Sequence, residues 1–302
     1  MRVLITGATG LIGTELTELL LRNNIDVHYL TTSKEGIKDK PGYIGYFWDP
    51  QKGYIDESAL IGVDAIIHLA GASISKRWTD AYKQEIVESR IFSANLLFNT
   101  LKKNPHQVKQ IVSASAIGIY KSSTAKVYTE DTVEIDEGFL GYVVEKWEAS
   151  IDKFQVLGLK VCKIRTGLVL SEKGGALVEM AKPVKLGIGS PYGSGKQFQS
   201  WIHLEDIARI YLFAVEHSLQ GVYNATAPNP VANKDFMKLL AKALHKPFFM
   251  PNVPKLAMKL LLGEMHQLLF SSQNVNSEKL RNAGFDFKYN PLSEALDDIY
   301  SK

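Results

Sequence analysis

Short apolar runs alternate along the chain with segments whose apolar residues recur every three to four positions, the two periods that separate strands from amphipathic helices. On this pattern strands fall at 2–6, 26–30, 43–48, 63–69, 109–115, 159–165 and 221–225. Helices fall at 11–22, 79–103, 137–156, 174–182, 204–217, 232–244, 254–262 and 291–300. Runs such as AIIHLA (65–70) and QIVSAS (110–115) read as buried parallel strands. Strand–helix alternation of this kind predicts an α/β fold, a doubly wound parallel sheet. From about residue 170 the alternation loosens and helices dominate. The expected organisation is a sheet domain over 1–170, rejoined by 204–226, with 171–302 mainly a smaller helical module capping the substrate side. The Gly-, Pro- and Ser-rich stretch 187–200, GIGSPYGSGKQFQS, reads as a long functional loop or hairpin.

Composition narrows the classes. The 302 residues are 45% hydrophobic and 22% charged, enough apolar side chain to offset the ordering entropy and exclude general disorder. Thirty-five basic against 32 acidic residues leave a charge of +3, which gives no electrostatic case for nucleic acid or an acidic membrane. Cys162 is the single cysteine, so no intrachain disulfide can form; this fits a reducing cytoplasm, the expected location. No run approaches the ~20 apolar residues that span a bilayer, and Gly7, Gly10 and Gly13 interrupt any leader-like apolar core. The scattered histidines form no metal-binding spacing, and no metal is expected.

The most informative motif opens the chain. The strand RVLIT runs directly into Gly7-Ala-Thr9-Gly10-Leu11-Ile12-Gly13 and then a helix pattern. Gly7 permits the tight turn, Gly10 lets the backbone approach a pyrophosphate, and Gly13 permits close helix–strand contact. The helix N-terminus adds free N–H groups and partial positive charge. A dinucleotide follows as cofactor. An NAD site usually carries an acid at the end of the second strand for the ribose 2′-hydroxyl. Here that strand ends in Thr31-Thr32-Ser33-Lys34, hydroxyls and a cation suited to a 2′-phosphate, so NADP is expected over NAD.

A second constellation suggests proton transfer. Tyr142 and Lys146 lie four apart on one face of the helix over 137–156, and Ser113-Ala114-Ser115 ends the strand before it. A free tyrosine titrates near ~10; a neighbouring ammonium favours its phenolate. A strand-end serine can hydrogen-bond the same substrate oxygen.

Together GATGLIG, HLAG (68–71), SASAIGIY (113–120), YVVEK (142–146) and RTGLVL (165–170) resemble the extended short-chain dehydrogenase/reductase superfamily. GASISKRW (71–78), GSGKQFQSWIHLED (193–206), YNATAPNPVAN (223–233) and the tail from Pro251 to GFDF (284–287) resemble its nucleoside-diphosphate-sugar epimerase-like branch, sometimes called SulA-like. The resemblance implies a Rossmann core with a C-terminal helical module and NADP binding. It places Gly7, Gly10 and Gly13 at the pyrophosphate, Leu69, Ala70 and Gly71 along the adenosine side, and Thr166 near the nicotinamide. It makes Tyr142 the general acid/base, Lys146 the residue that binds the nicotinamide ribose and favours the phenolate, and Ser115 the group that polarises the substrate oxygen, with Ser113 second. A homodimer is an expectation of the resemblance alone. Ser89-Arg90 stands where the superfamily often has Asn.

On the substrate side, Lys76, Arg77 and Trp78 follow the fourth strand, two cations and a ring suited to an anionic, ring-bearing ligand, or else an exposed loop with a packed Trp. Gln197, Ser200, Trp201 and His203 fall in the Gly-rich stretch, where Trp201 could equally be core and His203 a helix cap. His68 and Cys162 read as buried strand residues, and the Met/Leu stripe 254–269 as core or a dimer surface. The expected function is an NADP-dependent epimerase or reductase acting on a secondary alcohol or ketone, with a sugar nucleotide implied by resemblance. The alternative is a non-catalytic NADP(H)-binding sensor. The expected partner is a small-molecule substrate, with no nucleic acid and no membrane.

Overall fold

In the computed structural model, which describes residues 1–301, eight strands form one sheet. They are β1 (Arg2–Thr6), β2 (Asp26–Thr31), β3 (Tyr43–Asp49), β4 (Tyr54–Ile55), β5 (Ala65–His68), β6 (Gln110–Ala116), β7 (Lys160–Thr166) and β8 (Gly221–Ala225). Their spatial order is β8-β7-β6-β5-β1-β2-β3-β4, all parallel except β4, which runs antiparallel to β3. Alternate side chains feed opposite faces. Val3, Ile5, Ile67, Val112 and Ile164 pack under α1 (Leu11–Arg22) and α5 (Leu204–Glu216). Leu4, Ile66, Ile111 and Val161 pack under α2 (Asp80–Lys103) and α3 (Phe139–Asp152). A third core joins α4 (Ala176–Lys185), α6 (Asn233–Ala243) and the last helix (Leu292–Tyr300) around Trp201 and Phe236.

The differences from the sequence expectation are local. The helix expected to 156 ends at Asp152 and tightens into a 3₁₀ turn, closed by Gly158 at φ 76°. The 187–200 stretch makes no hairpin with itself. Phe198–Gln199 pairs with Val231–Ala232, and Trp201–His203 pairs with Leu168–Leu170. Asn274–Val275 likewise pairs with Val127–Tyr128. These two- and three-residue pairings join segments distant in sequence, which no local period reports.

Two constraints position the functional edge of the sheet. The first is backbone contact at the glycine turn. Gly7 has φ 75°, and a Cβ there would stand 3.0 Å from the Leu69 carbonyl carbon. A Cβ on Gly13 would fall 2.1 Å from the Gly7 carbonyl oxygen. Gly10 is more open, its nearest neighbour at 3.3 Å.

The second is a buried charge network that ties α3 to the sheet. Arg165 of β7 donates from Nε and Nη2 to the Glu148 carboxylate at 2.8 and 3.0 Å. Ser115 of β6 donates its hydroxyl to Glu148 at 2.6 Å. Arg165 also donates to the Tyr120 hydroxyl at 2.9 Å, which donates to Asn224 at 2.7 Å. Burial works to raise the Glu148 pKa, but hydrogen bonds and charge from Arg165, with Ser115 and Lys163, outweigh it and hold the carboxyl below its ordinary value.

Two stability predictions follow from these constraints. Gly13→Ala forces backbone apart and should cost about 3 kcal/mol in urea unfolding, whereas Gly10→Ala should cost under about 1 kcal/mol. Glu148→Gln strands a buried guanidinium and should cost about 3 kcal/mol or more at neutral pH. Because the folded carboxyl titrates below its unfolded value, its contribution is complete above the ordinary glutamate range and is lost as pH falls through the folded value. Unfolding free energies of wild type and Glu148→Gln should therefore converge on the acid side, as followed by urea melts at stepped pH.

Candidate functional site

The strand order reverses between β1 and β5, and in doubly wound sheets ligands sit at the carboxyl ends of the strands at that point. A cleft of about 730 Å³ opens there. Of the residues expected at a cofactor, Gly7, Thr9, Thr31, Thr32, Ala70 and Gly71 line it. Its floor is fixed by Thr6, whose hydroxyl accepts the amides of Leu69 and Ala70 at 3.1 Å each and pairs with the His68 ring at 2.8 Å. His68 is wholly buried; burial, with the Arg90 charge nearby, pushes it down to about 3 and keeps the ring neutral.

Helix α1 begins at Gly10 with no side-chain cap and no acid in its first turn. Its positive end is therefore neutralised by neither a capping side chain nor a first-turn carboxylate. Leu11 and Ile12 supply the first-turn amides, and the Leu11 side chain also lies against Gly175.

The cleft also contains residues the sequence did not single out, Trp48, Asp49 and Gln51 at the end of β3 and Phe92 and Ser93 on α2, together with Ser89, which stands where the superfamily often has Asn. The signal was available for the first group, since the carboxyl end of every strand in such a sheet faces the ligand edge. The α2 group is brought in by packing. Arg90 is buried behind Gly71, stacked on Trp147 and donating to the Ala72 carbonyl. A Cβ on Gly71 would lie 3.1 Å from its guanidinium carbon.

Gly10, Leu11, Ile12 and Gly13 lie outside the cleft lining, as do Ser33, Lys34, Leu69 and Thr166. Ser33 donates to Glu35, and Lys34 places its ammonium 4.9 Å above the Phe47 ring. Leu69 packs against the sheet core. Thr166, at the end of β7, donates to the Ile164 carbonyl at 3.3 Å.

Tyr142 is half exposed on α3, with the Lys146 ammonium 5.5 Å from its ring centroid. The pair therefore shares a face as expected. Ser115 does not join it: it is buried and its hydroxyl is committed to Glu148. Ser113 is also buried, donating to the Ala114 carbonyl. Both serines point into the α3 side of the sheet because residues two apart on a strand share a face. The strand-end position itself is Ala116, which has no hydroxyl.

The substrate-side residues divide into packed and exposed groups. Trp78 is core, its indole N–H donating to Ile74 and its ring edge-on to Phe139. Lys76 and Arg77 are exposed, with Lys76 over the Tyr82 ring. Gln197 donates to the carbonyls of Tyr192 and Leu269, and Ser200 donates to Gln273 while accepting the Val275 amide. Trp201 is fully buried and donates to Asn229. His203 caps α5 through Nδ1 and stacks on Tyr289. These four side chains tie the C-terminal layer together. Cys162 is buried, which pushes its thiol up to about 12. Among the described residues no group of three or more His, Cys, Asp or Glu could hold a metal, and no helix is long and apolar enough to cross a membrane.

Comparison with known proteins agrees with this architecture. Residues 3–226 match the family model "NAD dependent epimerase/dehydratase family", and residues 253–299 match "Domain of unknown function (DUF1731)". The epimerase family protein SERP0438 of Staphylococcus epidermidis is 37% identical over 300 residues, covering 99% of this chain and 98% of the relative. The crystal structure of human epimerase family protein SDR39U1 (isoform 2) with NADPH superposes with a TM-score of 0.87 at 31% identity, covering 100% of this chain and 99% of that one. A nucleoside-diphosphate sugar epimerase from Corynebacterium glutamicum gives a TM-score of 0.79 at 30% identity, covering 99% of this chain and 58% of the other. With the glycine turn, the parallel sheet and the cleft at its reversal point in place, the chain belongs to the NAD dependent epimerase/dehydratase family.

Proposed function

We propose that the protein is an NADP-dependent oxidoreductase or epimerase acting on a secondary alcohol or ketone, with a sugar nucleotide as the substrate class suggested by its relatives. The observation that carries the reading is the uncapped, acid-free start of α1, held by Gly7 and Gly13 directly after Thr9, which lines the cleft. Gly10 keeps the approach to these amides open. A dinucleotide pyrophosphate fits this cradle by charge and by space. When bound, the nicotinamide supplies or accepts hydride.

The end of β2 favours the 2′-phosphate form. It carries Thr31 and Thr32 in the cleft, with Lys34 just beyond, and the first carboxylate, Glu35, accepts from Ser33 outside the cleft lining. The cleft acid nearest in the fold, Asp49 of β3, is paired with Lys52 at 3.3 Å. The NADPH in the human relative's structure points the same way.

We assign to Tyr142 the proton of the substrate hydroxyl. The tyrosine is solvent-accessible and has an ammonium on its own helix face. Lys146, on the same helix face, is the residue assigned to the nicotinamide ribose. With Ser115 committed to Glu148, no strand serine assists, so the proton step rests on Tyr142. The absence of that hydroxyl also favours the second reading, an NADP(H) sensor without chemistry.

NADPH should bind more tightly than NADH in nicotinamide fluorescence titrations at fixed salt. Lys34→Asp should weaken NADPH about tenfold more than NADH, a difference of ~1.4 kcal/mol; equal loss for both removes Lys34 from the phosphate site. Tyr142→Phe should bind NADPH normally and lower turnover of carbonyl or sugar-nucleotide substrates at least ~100-fold. Unchanged activity in that variant, or no turnover by wild type beside intact NADPH binding, selects the sensor reading.

A further inference from the structure

The outer face of the C-terminal layer combines two features that the fold does not use. One is apolar. Helix α7 (Lys255–Leu262) contains no buried residue, unlike every other described helix of eight residues or more. Met258 turns toward the C-terminal core, while Leu256, Leu260 and Leu261 are 69%, 77% and 71% exposed. Just before it, Phe249 and Met250 are also exposed. The turn carrying exposed Leu186 and Ile188 lies beside them, since a Cβ on Gly187 would stand 3.8 Å from Pro247.

The other feature is charge. Residues 234–263 carry six lysines and a single acid, Asp235, leaving 29 basic against 31 acidic residues in the rest of a chain with 35 and 32 in total. The near-neutral whole-chain balance therefore averages over a segregated distribution. Lys238, Lys242 and Lys246 recur every four residues and border a groove of about 590 Å³ with Leu239 and Phe248. Lys255 and Lys259 flank the leucines of α7. None of these five lysines is in an ion pair among the described residues.

Large exposed leucines edged by unpaired lysines need an occupant that is apolar inside and negative at its surface. A two-fold dimer through this face would set lysines against lysines. A polyanion such as nucleic acid would match the charge but leave the leucines in water. An anionic bilayer satisfies both: the leucines enter the acyl boundary, and the lysines extend their stems to anionic headgroups. We propose that this face docks the protein on anionic lipid bilayer surfaces, lying at the interface without spanning it.

The test is co-sedimentation of the full chain with vesicles. Binding is expected to vesicles of equal parts phosphatidylserine and phosphatidylcholine, to fall with added salt, and to be weak on phosphatidylcholine alone. The double variant Leu260→Glu, Leu261→Glu should abolish it. Each of Lys255→Ser and Lys259→Ser should weaken it about fivefold. Circular dichroism melts at the wild-type temperature will show that the variants are folded; the substituted side chains are surface groups. The proposal is overturned if anionic vesicles fail to sediment the protein, if both vesicle types bind equally, or if the double leucine variant still binds. It is equally overturned if light scattering shows a dimer that the leucine variant splits, which assigns the face to a second copy.

Discussion

The backbone packs with no room for a side chain at the glycine turn, where Gly13 of α1 sits on the Gly7 carbonyl and Gly7 sits on the end of β5. No side chain can be accommodated between them, so the start of the helix, the end of β1 and the end of β5 are locked into one rigid corner. The cleft exists because of that corner. Thr6 extends the lock by accepting the next two amides of the β5 loop, and neutral His68 beneath it bonds Thr6 and Ser93. A helix begun elsewhere would not aim its free amides at the strand-reversal point, and the site would have no anion cradle.

The second anchor is the Glu148–Arg165 pair. It fixes α3, which bears Tyr142 and Lys146, against β6 and β7. A buried ion pair is weak evidence of stability by itself, because desolvation offsets attraction. Its geometric effect is clearer. Ser115 and Tyr120 are drawn into the same network, which sets the orientation of the helix and removes the serine from reach of a substrate. One interaction thus places a candidate acid/base and takes away its expected assistant.

The C-terminal layer shows how the same residue types serve different ends. Glycine, glutamine, serine and tryptophan in 187–203 read as a binding loop, yet several of their polar side chains satisfy backbone groups 28 to 75 positions away, as Trp201 does for Asn229 and Ser200 for Gln273 and Val275. Buried backbone must find partners, and an irregular layer with short strands recruits side chains to provide them. By contrast α7 leaves its leucines outside, where local periodicity alone had suggested core or a dimer surface.

The amino-acid sequence by itself determined the order and extent of the main strands and helices, the doubly wound class and the glycine turn. Those features are local: a period of two or 3.6, a turn that only glycine can make, and a helix start next to it. It also put Thr31 and Thr32 at the end of β2, because strand ends are legible from runs, while the family resemblance singled out Ala70 and Gly71; all four line the cleft. Only the tertiary structure decided that Ser115 belongs to Glu148, that Trp78, Trp201 and His203 are packing and capping groups, and that Trp48, Asp49 and Phe92 complete the cleft. A hydroxyl or an imidazole has the same identity whether it faces a ligand or a neighbour's carbonyl. Which of the two it meets depends on contacts between residues tens of positions apart, and those are set by packing rather than by any pattern along the chain.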